Sequence, residues 1–476
     1  MQPAGFPRRV DYPLGVTSLA GRRRFAPPRS LPESALMPVL GVLLALALSA
    51  GVARGLGAAG PSLWPSVAAG VGLLAIVALA IWRYDAAVAA GFLLLGIVRF
   101  EPAPVDGVMA VVIAVALVTG RFDLRSAPLW ANGLVGTFLL LNLLSCIEVV
   151  NAGRAATFMS ITVYLCLLGL WTSGYVRTVR RARMVFVIWL GVALVSAVAA
   201  TLALYFGFPG STLLTDSYGD RAQGLFKDPN VYGPFFVPVA ILVLHELLEP
   251  RLLRIGRTLK LVVLGILVLG VMFSYSRAAW LNLAVAFVVM LAVLPLRRGG
   301  SRRAGALLLI LIICLAAAVA AVSLTGASSF FEQRAHLQSY DSQRFGAQRT
   351  GIELSETHPI GIGPGQFETV SPVSAHSTYI RAGAEEGVLG VAVLLALLIG
   401  TLIVAGRNVV LGRSTAGLSS TALLAAWVGL LANSVFVDTL HWRHLWILAG
   451  LIWAGSLIPR PEEAQASSSA GAFSPT

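Results

Sequence analysis

Apolar stretches of about 20 residues recur from near residue 35 to residue 458, separated mostly by short polar turns. A run of that length crosses the hydrocarbon core of a bilayer as one α-helix. Only helices and closed barrels satisfy every backbone polar group there. Fourteen runs can be placed, at 35–53, 64–82, 85–99, 105–120, 128–148, 155–173, 182–206, 231–247, 260–275, 279–296, 304–325, 386–406, 416–435 and 441–458. The third and fourth are short and fit re-entrant segments as well as crossings. Composition points the same way, with 57% hydrophobic and 12% charged residues, against roughly 25% charged in soluble domains. The expected fold class is an all-α polytopic membrane protein of about 12–14 transmembrane helices with one large outer loop.

Charge sets the orientation. With the N-terminus inside and strict alternation, the inner turns hold Arg83, Arg121 and Arg125, then Arg177, Arg180, Arg181 and Arg183. Further on they hold Arg251, Arg254, Arg257 and Lys260, then Arg297, Arg298, Arg302 and Arg303, and finally Arg407 and Arg413. The positive-inside bias favours this count over a shifted one. The net charge of +13 is therefore read as a topology signal, and nucleic acid is not expected as a partner.

The chain is expected to divide accordingly. Residues 1–34 form a cytoplasmic tail, too long ahead of the first apolar run for a cleavable signal peptide. Residues 35–325 form the first part of the bundle, 326–385 a large outer loop, 386–458 the C-terminal helices, and 459–476 a disordered tail rich in Ala, Ser and Glu. The loop carries Phe330, Phe331, Tyr340, Phe345 and Phe367 among polar residues, and a loop of this length usually has a function. No phosphate-binding loop, dinucleotide fingerprint or zinc-protease HExxH occurs. Cys146, Cys166 and Cys314 lie in apolar runs and read as packing residues. No grouping has convincing metal spacing, so neither metal nor cofactor is expected.

Three polar groups fall on the outer side. The first runs from Arg221 to Asn230 and includes Lys227 and Asp228 around Pro229. It reads either as a charged loop with an ordinary helix cap or as a grip on an anionic substrate by Arg221. The second is Ser276-Arg277 with Trp280, between helices that leave almost no loop. Arg277 there is either a snorkelling side chain or a binding residue in an outward-opening cavity, since Arg forms paired, charge-assisted hydrogen bonds to phosphate. The third runs from His358 through a glycine-rich stretch to His376, Tyr379 and Glu386. If 375–386 is helical, His376 and Tyr379 share a face. His376 suits proton transfer near neutral pH and equally suits hydrogen bonding within the loop. In the last outer turn, Asp438, His441 and Arg443 are lesser candidates for the same vestibule.

These groups resemble the bacterial O-antigen ligase and O-antigen polymerase superfamily, over about residues 120–455. The resemblance rests on Arg221-x-x-Gly-Leu-Phe-x-Asp-Pro-Asn230, on Ser276-Arg277-Ala, on His358-Pro-Ile-Gly-Ile-Gly-Pro-Gly365, and above all on His376-Ser-Thr-Tyr379 leading to Glu386-Gly-Val-Leu-Gly390. Ser377 stands where the family often has Asn, and two extra short helices exceed the usual count of about twelve.

The resemblance implies a metal-independent glycosyltransferase of the bacterial inner membrane with its site facing the periplasm. The donor would be an undecaprenyl-diphosphate-linked oligosaccharide. The acceptor would be a hydroxyl of a growing repeat unit or of lipid A–core, with a flippase and a chain-length regulator as further partners in the polymerase case. Arg221 and Arg277 would stabilise the leaving diphosphate, and His376 would orient or deprotonate the acceptor or bind phosphate. Lys227, Asp228, Asn230, Ser276, Tyr379 and His441 would contact substrate. The rival class is a transporter or flippase, but this chain places its polar groups in outer loops rather than at the bilayer midplane.

Overall fold

The computed structural model describes residues 64–99, 103–296, 300–324 and 339–457. The two tails, the helix expected over 35–53, and Phe330 and Phe331 lie outside the described residues. The helices are α1 (Trp64–Trp82), α2 (Tyr84–Leu93), α3 (Pro104–Val118), α4 (Leu129–Leu144), α5 (Ala152–Tyr175), α6 (Val179–Phe206), α7 (Pro229–Leu248) and α8 (Arg257–Phe273). They continue as α9 (Arg277–Val293), α10 (Gly300–Leu324), α11 (Ser339–Thr357), the single turn α12 (Phe367–Val370), α13 (Thr378–Val410), α14 (Ser420–Asn433) and α15 (Arg443–Leu457). A two-residue ribbon, Ser414–Thr415 with Leu418–Ser419, links α13 to α14.

This is an all-α polytopic membrane protein. Among the described residues six helices are long and apolar enough to cross a membrane, including α5, α6, α7 and α13. Their boundaries follow local chemistry. The side chains of Asn151, Thr178 and Ser276 accept from the backbone N–H of Arg154, Arg181 and Ala279 and so start α5, α6 and α9. Asp228 caps α7 ahead of Pro229, whose missing N–H costs nothing at that position.

α7 sits at the centre. Almost all of its residues are buried, and it packs on α6, α8, α9 and α14. A helix apolar all round belongs in the interior. Outer helices instead leave large apolar side chains exposed, such as Val195, Val288, Leu389 and Ile403. In lipid such side chains need no protein cover, so packing and internal polar contacts hold the helices together.

Successive turns alternate between two ends. At one end Asp85 pairs with Arg181 at 3.3 Å, Lys260 with Glu246 at 3.5 Å, and Arg303 with Glu249. At the other, Val98 N–H donates to Leu225 O, Ala222 N–H to Phe273 O and Thr378 N–H to Ser434 O. The first end carries the arginine-rich turns. The second also holds cations, but among carboxylates.

The segment expected as a loop departs from that expectation. Residues 339–357 of it form α11, and α13 begins at Thr378 rather than 386. Near residue 386, where a helix start was expected, α13 instead breaks at Gly387 (φ 75°, ψ −177°). The break docks the glycine-rich stretch. Val388 N–H donates to Pro359 O, Ile362 N–H to Ala384 O and Gly363 N–H to Glu385 O. A Cβ on Gly387 or Gly361 would clash with the opposing backbone, and that dihedral region is essentially closed to other residues.

Arg443 is not in the vestibule. Its Nε and a terminal nitrogen reach both oxygens of Asp106 at 2.8 and 2.5 Å, tying α15 to α3 in a buried fork. Asp106 also accepts from Ala103 N–H at 2.7 Å. Breaking such a pair leaves an uncompensated buried charge. Asp106→Ala is expected to destabilise the detergent-solubilised protein by about 3–5 kcal/mol in unfolding measurements. Adding Arg443→Met to that variant should restore most of the loss.

Candidate functional site

Two chambers open at the end opposite the arginine-rich turns, and they share Asn230, His376 and Val437. The first, about 450 Å³, draws on Arg221 and Asn230 ahead of and at the start of α7, on Tyr275 and Arg277 at the α8–α9 turn, and on Asp341, Arg344, Phe345 and Gln348 of α11. The second, about 360 Å³, is lined by Lys227, Asp228, Arg154, Glu368, Arg381, Asp438 and His441, among others.

The α7–α9 contact builds the first chamber. Gly233 lets the Ser274–Ala279 turn come so close that a Cβ at 233 would strike Ser274 Oγ and Ala279 Cβ. The Arg221 guanidinium then bridges the two segments. Its Nε donates to Ser274 O at 2.9 Å and a terminal nitrogen to Asn230 Oδ1 at 3.2 Å. The Arg221 N–H donates to Asp216 Oδ1 at 3.2 Å, which holds the loop. Arg277 follows Tyr275, whose φ is +48°, and pairs with Asp341 Oδ1 at 2.6 Å. A guanidinium has five N–H donors in a planar fork, so this pairing orients Arg277 toward the chamber wall that α11 provides.

His376 also has φ +48°. Thus two of the three non-glycine residues with positive φ among the described residues line this chamber. That conformation is costly and tends to mark function. Burial lowers the His376 pKa to about 4 from 6.5, and the nearby Arg344 adds to the effect, against the opposing pull of Asp228, Asp438 and Glu368. The imidazole is therefore neutral at physiological pH, with one ring nitrogen able to accept a proton.

The loop that carries His376 is anchored from behind. Glu385 accepts from Gly365 N–H at 2.8 Å and Phe367 N–H at 3.0 Å, and pairs with Arg381 at 3.1 Å. Arg381 also reaches Glu368 at 2.9 Å and Asp438 at 3.2 Å, and Glu368 reaches Arg154 at 2.6 Å. Glu386 accepts from Asn142 Nδ2 at 3.2 Å, which joins α13 to α4.

Of the residues singled out from sequence, Arg221, Arg277, His376 and Asn230 come together around the first chamber, and Lys227, Asp228 and His441 around the second. Ser276 and Tyr379 line neither. The Ser276 side chain caps α9, and Tyr379 donates its hydroxyl to Leu431 O at 2.9 Å. His376 and Tyr379 do not share a helix face, because α13 begins only at Thr378 and His376 lies before it in left-handed backbone. His358 pairs loosely with Glu148 at 3.8 Å, outside both chambers.

Sequence reading missed Asp341, Arg344 and Gln348, and took Phe345 only as one of the aromatics of the long loop. Their spacing of i, i+3, i+4 and i+7 is the signature of one helix face, hidden in a segment too polar to stand out. Asp216, Arg154, Glu368 and Arg381 carried no local signal, since only tertiary contact brings them together. Among the described residues no three His, Cys, Asp or Glu side chains are grouped so as to hold a metal ion.

No curated protein matches the chain. Residues 262–395 match the family model for O-antigen ligase (Wzy_C). That stretch runs from α8 into α13 and includes Arg277, Asp341, Arg344, the glycine-rich segment, His376 and Glu385, while Arg221, Asp438 and His441 fall outside it. Over this stretch the chain is similar to the O-antigen ligases.

Proposed function

We propose that this protein is a glycosyltransferase of the O-antigen ligase or polymerase type. It transfers a glycan from undecaprenyl diphosphate to a hydroxyl acceptor at the periplasmic face of a bacterial inner membrane. The observation that carries this reading is one chamber lined by Arg221, Arg277, Arg344 and a neutral His376. The family match over 262–395 supports it. The orientation follows from the arginine-rich turns gathered at the opposite end.

On this reading the acceptor oxygen bonds to the anomeric carbon as the bond from that carbon to the diphosphate oxygen breaks. The acceptor proton passes to the neutral His376, and undecaprenyl diphosphate leaves with the electron pair. Negative charge grows on the phosphate oxygens, where preorganised guanidinium groups stabilise it most. The polyprenyl chain follows the apolar side of the chamber, along Ala278 and Leu281, toward exposed Val288 on the lipid-facing surface of α9. The donor carries its own activation in the diphosphate, so no nucleotide sugar is required.

The direct test is the purified protein with an undecaprenyl-diphosphate-linked oligosaccharide, alone and with lipid A–core. A ladder of carrier-linked glycans without core means polymerase, and product only with core means ligase. Movement of the lipid-linked glycan across a vesicle membrane without transfer would replace this reading with a flippase.

Arg277→Ala should lower kcat/KM by about 10²–10³-fold, and Arg277→Lys should recover only part of it, because an ammonium lacks the planar fork. The pH profile provides a second check. His376 acts as a base only when neutral, and its pKa is held at about 4. Activity should therefore persist as pH falls through 6.5 and decline only toward about 4. Stability follows the same sign. The unfolded imidazole takes up its proton near 6.5 and the folded one only near 4, so this contribution is complete above 6.5 and lost between those values as pH falls. An acid limb centred on 6.5 in the kcat/KM profile would contradict a half-buried, neutral His376.

A further inference from the structure

The two chambers that meet at His376 differ in how their charges are paired. In the first, the Arg221 guanidinium bonds to Ser274 O and Asn230 Oδ1, Arg277 pairs with Asp341, and the lining holds Arg221, Arg277 and Arg344 against Asp216 and Asp341, so cations are in excess. The walls there also include Ala278, Leu281, Phe345 and Phe436. Cations beside an apolar wall suit phosphate attached to a hydrocarbon chain.

In the second chamber each arginine already faces carboxylates. Arg381 contacts Glu368, Asp438 and Glu385 at 2.9, 3.2 and 3.1 Å, and Arg154 contacts Glu368 at 2.6 Å. Both guanidinium groups also lie over the Phe158 ring, 5.2 and 5.1 Å from its centroid. The cations of the lining, Arg154, Lys227 and Arg381, are matched in number by Asp228, Glu368 and Asp438, so an anion entering here meets no excess of positive charge and is repelled by the fixed carboxylates. A neutral polyol meets instead a dense set of both donors and acceptors. Thr162 Oγ1 lies 3.1 Å from His441 Nε2, and the Phe158 ring stands edge-on to the imidazole at 5.2 Å, so the histidine ring is held in place. Asp438 is fixed by accepting from Leu440 N–H at 3.1 Å and from Arg381.

We infer that the second chamber is the acceptor subsite: it takes a neutral, polyhydroxylated segment of the acceptor glycan, positioned by Asp438 and His441, while the phosphates of the donor stay in the first. This rests on the transfer reading above for the word acceptor, but the partition of ligand chemistry is separately measurable. It also gives His376 its place, since a residue that lines both chambers can take the proton of a hydroxyl held in the second as that oxygen attacks the anomeric carbon of a donor held in the first.

The experiment is equilibrium binding to the full-length protein in lipid nanodiscs, with two probes. One is a phosphate-free oligosaccharide released from the host's own surface polysaccharide, and the other is undecaprenyl phosphate. His441→Ala and Asp438→Asn should each weaken the oligosaccharide by about ten-fold or more and leave undecaprenyl phosphate within about two-fold. Arg277→Lys should do the reverse. His441→Ala carries the test if Asp438→Asn fails to fold, because Asp438 keeps its 3.2 Å pairing with Arg381 when the imidazole, 3.9 Å away, is removed. Equal weakening of both probes by His441→Ala, no effect on either, or no oligosaccharide binding to the wild-type protein would each overturn the partition. The expected binding pattern with no transfer to any acceptor would overturn the transferase reading alone.

Discussion

An amide in hydrocarbon has no water to bond to, so every backbone group in the membrane must find its partner within the protein. This constraint explains the long apolar helices, the buried centre of α7 and the exposed apolar faces of the outer helices. Buried backbone that leaves the helix meets a similar demand. At the glycine-rich stretch the freed amides of Gly365 and Phe367 turn to the Glu385 carboxylate, and those of Ile362 and Gly363 to carbonyls of α13.

The same economy places the charges. Glu385, Arg381, Glu368, Asp438 and Arg154 form one connected group behind His376. Each charge is costly alone and tolerable with its neighbours. The group joins α13, the loop before it, the turn after α14 and the start of α5, so the backbone at His376 is held from several sides. Its left-handed φ is supported by that over-determination. On the proposed reading this rigidity preorganises the reacting groups, with Arg221 and Arg277 set by neighbouring helix ends rather than by a flexible loop.

The apolar helices were legible in the sequence, and so were Arg221, Asn230, Arg277 and His376 of the first chamber. Apolar runs exceed the length of ordinary core helices, and arginine in a tight outer turn is conspicuous where charge is expensive. α11 was not legible, because its face of Asp341, Arg344, Phe345 and Gln348 sits in a polar segment without an apolar stripe. Ser276 and Tyr379 looked like ligands because they neighbour Arg277 and His376. A helix start turned both side chains to structural bonds instead.

The sequence by itself determined that the chain crosses a membrane many times and that its arginine-rich turns share one side. Length of apolar run and sign of charge are properties of segments, and neither needs a partner to be read. Only the tertiary structure decided that Arg443 serves Asp106 while Arg381 anchors the site, and that the polar end divides into two chambers meeting at His376. Those outcomes depend on which side chains approach within hydrogen-bonding distance across tens to hundreds of residues, as Arg381 does with Asp438 and Arg443 with Asp106, and no local pattern encodes that distance.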